Sequence, residues 1–146
     1  MGYSFDFFVA AMQCFNCGRI SPADSSTDMQ TYLRDDPQLE DLGVGSIVGS
    51  DLHDMDGKRY LEVSTPSQEA ILLDTWNCPY CGHPNWAQVT ITNGVITNIH
   101  AVKLNRKTVA NATYVLYDAF WYVDESYSSK PMTREDALKM LLEKLE

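Results

Sequence analysis

The chain has 146 residues, 45% of them hydrophobic and 11% aromatic, which is enough to bury one sizeable core and too little for two ordinary domains. A single domain over 1–146 is therefore expected. Its formal charge of −9 is concentrated between Asp24 and Asp56, where nine acids face one base, Arg34, for a net of −8; such a surface repels nucleic acid and steers a basic protein partner toward itself.

Near the N-terminus the longest apolar stretch is Phe7 to Met12, far short of the roughly 20 residues of a membrane span. It lacks the basic region that opens a signal peptide, and Asp6 stands where a myristoylation signal wants Ser or Thr. A soluble, cytoplasmic protein is expected, and in that reducing compartment cysteines serve as thiolate ligands more readily than as disulfides. Tyr3, Phe5, Phe7 and Val9 alternate, which predicts a strand over 3–13 that delivers Cys14. From Ser21 the composition turns to Ser, Asp, Pro and Gly. Ser25 or Ser26 can cap a short helix running to about Asp35, stopped by Asp36-Pro37 because the residue before proline disfavours helical backbone.

Gly43 to Gly49 reads as loop, and Lys58 to Ser64 as a strand following an Asp56-Gly57 turn. The acids in Leu52 to Gly57 resemble a calcium loop only in part, lacking its leading Asp and terminal Glu, so a turn is the better reading. Glu69 to Trp76 is a strand that enters Cys78. Trp86 to Thr92 and Val95 to Val102 are two β-rich runs joined by Asn93-Gly94, the strongest short hairpin signal, because a type I′ turn needs positive φ at both central residues. Val109, Ala112, Leu116, Phe120 and Val123 recur at helical spacing and predict a helix with an aromatic face, with a strand as the alternative. Tyr114, Tyr117, Trp121, Tyr122 and Tyr127 are core or interface candidates near Asp118, Asp124 and Glu125. Thr133 opens a last helix with Leu138, Leu141, Leu142 and Leu145 as its apolar stripe.

The chemistry-bearing pattern is a repeated Cys-x-x-Cys-Gly: Cys14-Phe15-Asn16-Cys17-Gly18 and Cys78-Pro79-Tyr80-Cys81-Gly82. Two intervening residues let a tight turn aim both sulfurs at one ion, and the glycine takes the backbone conformation that a side chain would penalise. Two such knuckles, each reached from a strand, predict one tetrahedral four-thiolate site of Cys14, Cys17, Cys78 and Cys81. In the knuckles and the hairpin after the second, the chain resembles the zinc ribbon class. The resemblance implies one structural Zn2+; rubredoxin-like iron suits the same donors. The 60 residues between Cys17 and Cys78 exceed the usual ribbon spacing, so 21–69 is expected to be an acidic insertion. The fold class expected is thus α+β, a zinc-ribbon-like antiparallel β core with that insertion and C-terminal helices.

Four thiolates close the coordination shell, leaving no position for substrate, so no enzyme activity and no catalytic residue is expected. His83, beside the second knuckle, reads as a surface residue, and His53 and His100 have no nucleophile motif around them. A small, acidic, non-catalytic and stapled protein is similar in general character to the immunity proteins that neutralise bacterial toxins. That resemblance implies a module that binds and blocks a basic toxin or enzyme through Asp28, Asp35, Asp36, Glu40, Asp41, Asp51 and Asp54. The alternative is a nucleic-acid-binding or transcription/translation accessory ribbon, carried by hairpin aromatics and by Lys103, Arg106 and Lys107.

Overall fold

A computed structural model describes residues 6–31, 41–48, 60–64 and 68–116, together with 139, 142 and 143. Its centre is a long hairpin pair. Strand β5 (Glu69–Asn77) runs antiparallel to β6 (Pro84–Thr92) over nine register pairs, from Glu69 opposite Thr92 to Asn77 opposite Pro84. Strand β7 (Val95–Val102) returns along β6 through the Asn93-Gly94 turn, whose φ values of 50° and 80° are those a type I′ turn requires. Opposite the Thr90–Ile91 step the β7 register shifts, leaving Thr97 as an extra residue. Without that bulge strict alternation would send Ile96 and Ile99 to opposite faces; with it both are buried.

The earlier strands are shorter: β1 (Asp6–Phe8), β2 (Gln30–Thr31), β3 (Asp41–Leu42) and β4 (Tyr60–Glu62). They join two mixed sheets. One has the order β2-β1-β3, with β1 antiparallel to β2 and parallel to β3. The other has the order β4-β8-β5-β6-β7, where β8 (Tyr114–Leu116) lies parallel to β5. Residues of the 43–48 loop tie the sheets together: Gly45 and Val48 donate to the carbonyls of Ile96 and Gly94, and Ile96 donates to Ser46. The described parts of 21–69 are thus woven into both sheets. The core unites Phe8, Met12, Met29 and Leu42 from the small-sheet region with Leu72, Trp76, Val89 and Ile96 from the large one.

The expected α+β class is corrected by these elements. Among the described residues the fold is mostly β, with mixed rather than purely antiparallel sheets; α1 (Arg106–Asn111) is the one α-helix described along its length, and Lys139, Leu142 and Glu143 are helical as well. The expected C-terminal helices do not make the class α+β: α1 is six residues long, and beyond it the helical backbone described is Lys139, Leu142 and Glu143. The helix expected over Val109 to Val123 ends at Asn111. Asn105 caps its start, with Thr108 completing a capping box, but Ala112 is already extended, and Thr113 then exchanges backbone hydrogen bonds with Ile71 and Val63. The sheet claims the next three residues. Tyr114, Val115 and Leu116 are buried together because β8 is an interior strand covered on both faces, and such a strand shows a continuous apolar run without alternation. Phe120 and Val123 lie outside the described residues.

Smaller differences have similarly local causes. The helix expected to run from Ser25 or Ser26 to Asp35 is a single 3-10 turn, Ser25–Thr27, capped by Asp24 and closed by Asp28 at φ 53°; β2 comes directly after it. In β1 the buried residues are Asp6 and Phe8, so Phe7 and Val9 face away from the deepest core. The helix expected from Thr133 lies largely outside the described residues, although Leu142 packs partly buried on the core and its carbonyl accepts from Arg106 Nε at 2.7 Å. Among the described residues, no helix is long and apolar enough to cross a membrane.

Candidate metal centre

The two Cys-x-x-Cys-Gly segments fold alike. In the first, Gly18 N–H donates to the Cys14 carbonyl at 3.0 Å and Cys14 N–H to the Arg19 carbonyl at 2.9 Å. In the second, Gly82 donates to Cys78 at 2.8 Å and Cys78 to His83 at 3.0 Å. Gly18 and Gly82 hold φ at 77° and 74°, the left-handed region that turns the chain back on itself. The first knuckle is closed by a bridge between Gln13 and Ile20, and the second is the turn of the β5–β6 hairpin. Two short antiparallel arms therefore present their sulfurs to the same point.

All four Sγ atoms lie within 4.8 Å of one another. Cys14 and Cys81 are 3.7 Å apart, and Cys17 and Cys78 3.6 Å. A metal at the centre of a sulfur tetrahedron with bonds of about 2.3 Å needs edges of about 3.8 Å, so the cluster fits the ion it would hold. The same distances far exceed a sulfur–sulfur bond of about 2.05 Å, and all four cysteines are free thiols. Each knuckle gives one buried sulfur, Cys14 or Cys78, and one exposed, Cys17 or Cys81. His83 is not among the converging ligands; its ring is exposed, and its carbonyl serves the knuckle.

Donors around the sulfurs prepare them unequally for ionisation. Burial opposes the Cys14 thiolate, but the Cys17 N–H, the Asn85 amide and the Asn16 N–H donate to it, and together bring it down to about 6. The Arg19 N–H favours the Cys17 thiolate, yet burial and its bonds to the other three sulfurs outweigh that and push it up to about 11. Cys81 is lowered by the His83 N–H and then by the Asn16 side chain. Four thiols in van der Waals contact give up protons in steps that belong to the cluster, and a divalent cation would take the place of those that remain.

Asn85 is the residue that sequence reasoning missed. Buried on β6 opposite Trp76, it accepts from Phe15 N–H at 3.3 Å, and its amide nitrogen donates to His83 O at 3.0 Å and lies 3.5 Å from Cys14 Sγ. One side chain thus joins both knuckles and orients a ligand. Asn16 does a smaller version, with its N–H 3.3 Å from Cys14 Sγ and its amide 3.6 Å from Cys81 Sγ. The available signal was an Asn four residues after Cys81 at a position whose strand neighbours two apart, Ala87 and Val89, are buried.

Two rings mark the outside of the centre. Arg19 lies 5.4 Å from the centroid of Tyr80, and Lys103 Nζ 5.4 Å from that of Phe15. Of the acids expected to bind a partner, Asp28 and Asp41 are described and exposed, on the chain segments flanking β1; Asp35, Asp36, Glu40, Asp51 and Asp54 lie outside the described residues. The calcium-like segment and His53 lie outside them too, while His100 is exposed on β7. Tyr114 is core; Tyr117, Trp121, Tyr122, Tyr127, Asp118, Asp124 and Glu125 are outside.

No family model matches the chain, and neither a curated protein nor a solved structure matches it. The zinc-ribbon likeness therefore rests on the site itself, four cysteines within metal-binding distance on two equivalent knuckles.

Proposed function

We propose that this chain is a non-catalytic interaction module stapled by one zinc ion. The observation that carries the reading is the closed cluster: four protein sulfurs fill a tetrahedron, so the ion supplies folding energy and leaves no site for substrate. Zinc is preferred to iron because it fills such sites without redox liability. Elemental analysis of protein purified from zinc-replete cells should return about one zinc per chain; a metal-free, fully folded protein would overturn the reading.

The partner we propose is a basic protein, and a toxin or enzyme blocked by an immunity-type inhibitor is the instance that fits best. Support comes from the net −8 between Asp24 and Asp56 and from the exposure of Asp28 and Asp41. Like charges packed in one segment repel each other, and a positive surface would offset that cost while accelerating encounter. A pull-down from the native host, repeated with Asp35, Asp36, Glu40 and Asp41 all changed to Lys, tests it. The wild type should retain a basic protein that the variant releases; equal capture by both would remove the acidic segment as the docking surface.

A further inference from the structure

We infer that the outer face of the two knuckles is a second binding surface, and that its ligand is single-stranded nucleic acid. This goes beyond the acidic-segment reading and does not depend on it. The face is built by residues 13–20, 78–84 and the turn after β7. Phe15 and Tyr80 stand at the knuckle tips, 50% and 51% exposed, and Ile20, in the bridge that closes the first knuckle, is 64% exposed. One knuckle contributes Phe15 and the other Tyr80, and exposed apolar surface rimmed by polar residues is what marks an interaction site. Each ring also carries a cation, Arg19 on Tyr80 and Lys103 on Phe15.

Charge sets this face apart from the rest of the chain. Residues 7–23 and 75–117, which supply both knuckles, β6, β7 and α1, contain no Asp or Glu, although the chain holds 20 acids. Their charged residues are Arg19, Lys103, Arg106 and Lys107, all exposed. At physiological salt, charges more than about 8 Å apart are largely screened, so the segments that build a face decide its sign more than the net −9 does. A divalent ion on the four thiolates beneath would leave a net charge of −2, which Arg19, Lys103, Arg106 and Lys107 outnumber and which the donors from Asn16 and Asn85 to the sulfurs partly offset.

Rings alternating with cations are what an unpaired strand needs: a base stacks on the open ring face while its phosphate meets the cation. An acidic peptide would satisfy the cations but has no π face to place on Phe15 or Tyr80. Duplex DNA would hide its bases from both rings.

The test uses the zinc-loaded full chain and fluorescent dT20, with duplex DNA of the same length and a poly-glutamate of matched charge as competitors. Binding anisotropy at low salt should show dT20 bound and duplex bound several-fold more weakly. The log–log salt slope should be no steeper than about −3, since four bases can neutralise at most four phosphates at about 0.7 each. Phe15→Ala and Tyr80→Ala should each weaken binding by about tenfold. Arg19→Glu with Lys103→Glu should abolish it, and Phe15→Trp should restore or exceed wild-type affinity. Zinc content and melting temperature, measured on every variant, separate loss of the face from loss of the fold. Absence of dT20 binding by the wild type, or binding unmoved by all these substitutions in folded zinc-loaded protein, overturns the inference. Preference for poly-glutamate over dT20 also overturns it and assigns the face to an acidic protein.

Discussion

At the scale of single residues, the centre depends on six side chains rather than four. Cys14, Cys17, Cys78 and Cys81 would bind the ion, and Asn85 and Asn16 direct hydrogen bonds at their sulfurs. Cys14→Ser or Cys81→Ser should forfeit much of the roughly 10–16 kcal/mol apparent binding energy of a structural zinc, more than a marginal domain can lose, and leave an unfolded chain by circular dichroism. Asn85→Ala is the subtler substitution. It removes an amide from Cys14 Sγ and strands the Phe15 N–H, so zinc affinity measured by competition with a chelator should fall about 10- to 100-fold while the protein still folds when metal is in excess. Wild-type affinity in that variant would show that the bridge between knuckles is incidental.

At the scale of elements, turns carry the strongest local constraint. Gly94 sits at φ 80°, and Gly94→Val should cost about 1–2 kcal/mol, read as a lowered urea midpoint at constant slope, because a β-branched residue resists that backbone. Gly82 gives a cleaner version of the same experiment. A Cβ there would meet nothing within 4 Å, so any penalty is conformational rather than steric. Gly82→Asn should accordingly be milder than Gly82→Val, since Asn tolerates left-handed backbone; equal losses would mean that crowding, not φ, governs the knuckle. Hydrophobic spacing was less reliable than turn chemistry. Val109, Ala112 and Leu116 fit a helix on paper, yet α1 covers only the first of them and β8 takes the last, because Thr113 is captured by Ile71 across the sheet.

At the scale of the whole molecule, a metal held by the four cysteines would couple segments far apart in sequence. It would join the turn near Cys14 to the end of β5, while Trp76, fully buried two residues before Cys78, donates its indole N–H to the Trp86 carbonyl at 3.1 Å. Chelation by excess EDTA should therefore lower the melting temperature by roughly 15 °C or more, taking about 3 °C per kcal/mol for a chain of this size and a loss above 5 kcal/mol, and should erase the near-ultraviolet signal of the tryptophans. Unchanged melting after complete zinc removal would show that the sheets stand without the staple. Charge divides the molecule as well: the acids are confined to segments other than those that build the knuckles. Association with a basic partner should slow steeply as salt rises, whereas reversal of Asp35, Asp36, Glu40 and Asp41 to Lys should leave melting nearly unchanged, and stopped-flow rates against salt would check both.

Local chemistry was legible in the sequence alone because each such feature is decided within a few residues. Cys-x-x-Cys-Gly makes a knuckle, Asn93-Gly94 makes a type I′ turn, and β-branched runs on either side make strands, whatever the remainder of the chain does. The four ligands came from those patterns, since two knuckles with four thiolates between them define one tetrahedral site. Non-local pairing was not legible. Whether Tyr114-Val115-Leu116 becomes helix or strand depends on the free edge of β5 that it meets, and whether Asn85 is an ordinary strand residue or a bridge depends on Cys14, 71 positions away in sequence, arriving beside it. Hydrogen bonds of that range are set by tertiary packing, which overrides short-range propensity wherever a buried N–H or carbonyl would otherwise lack a partner.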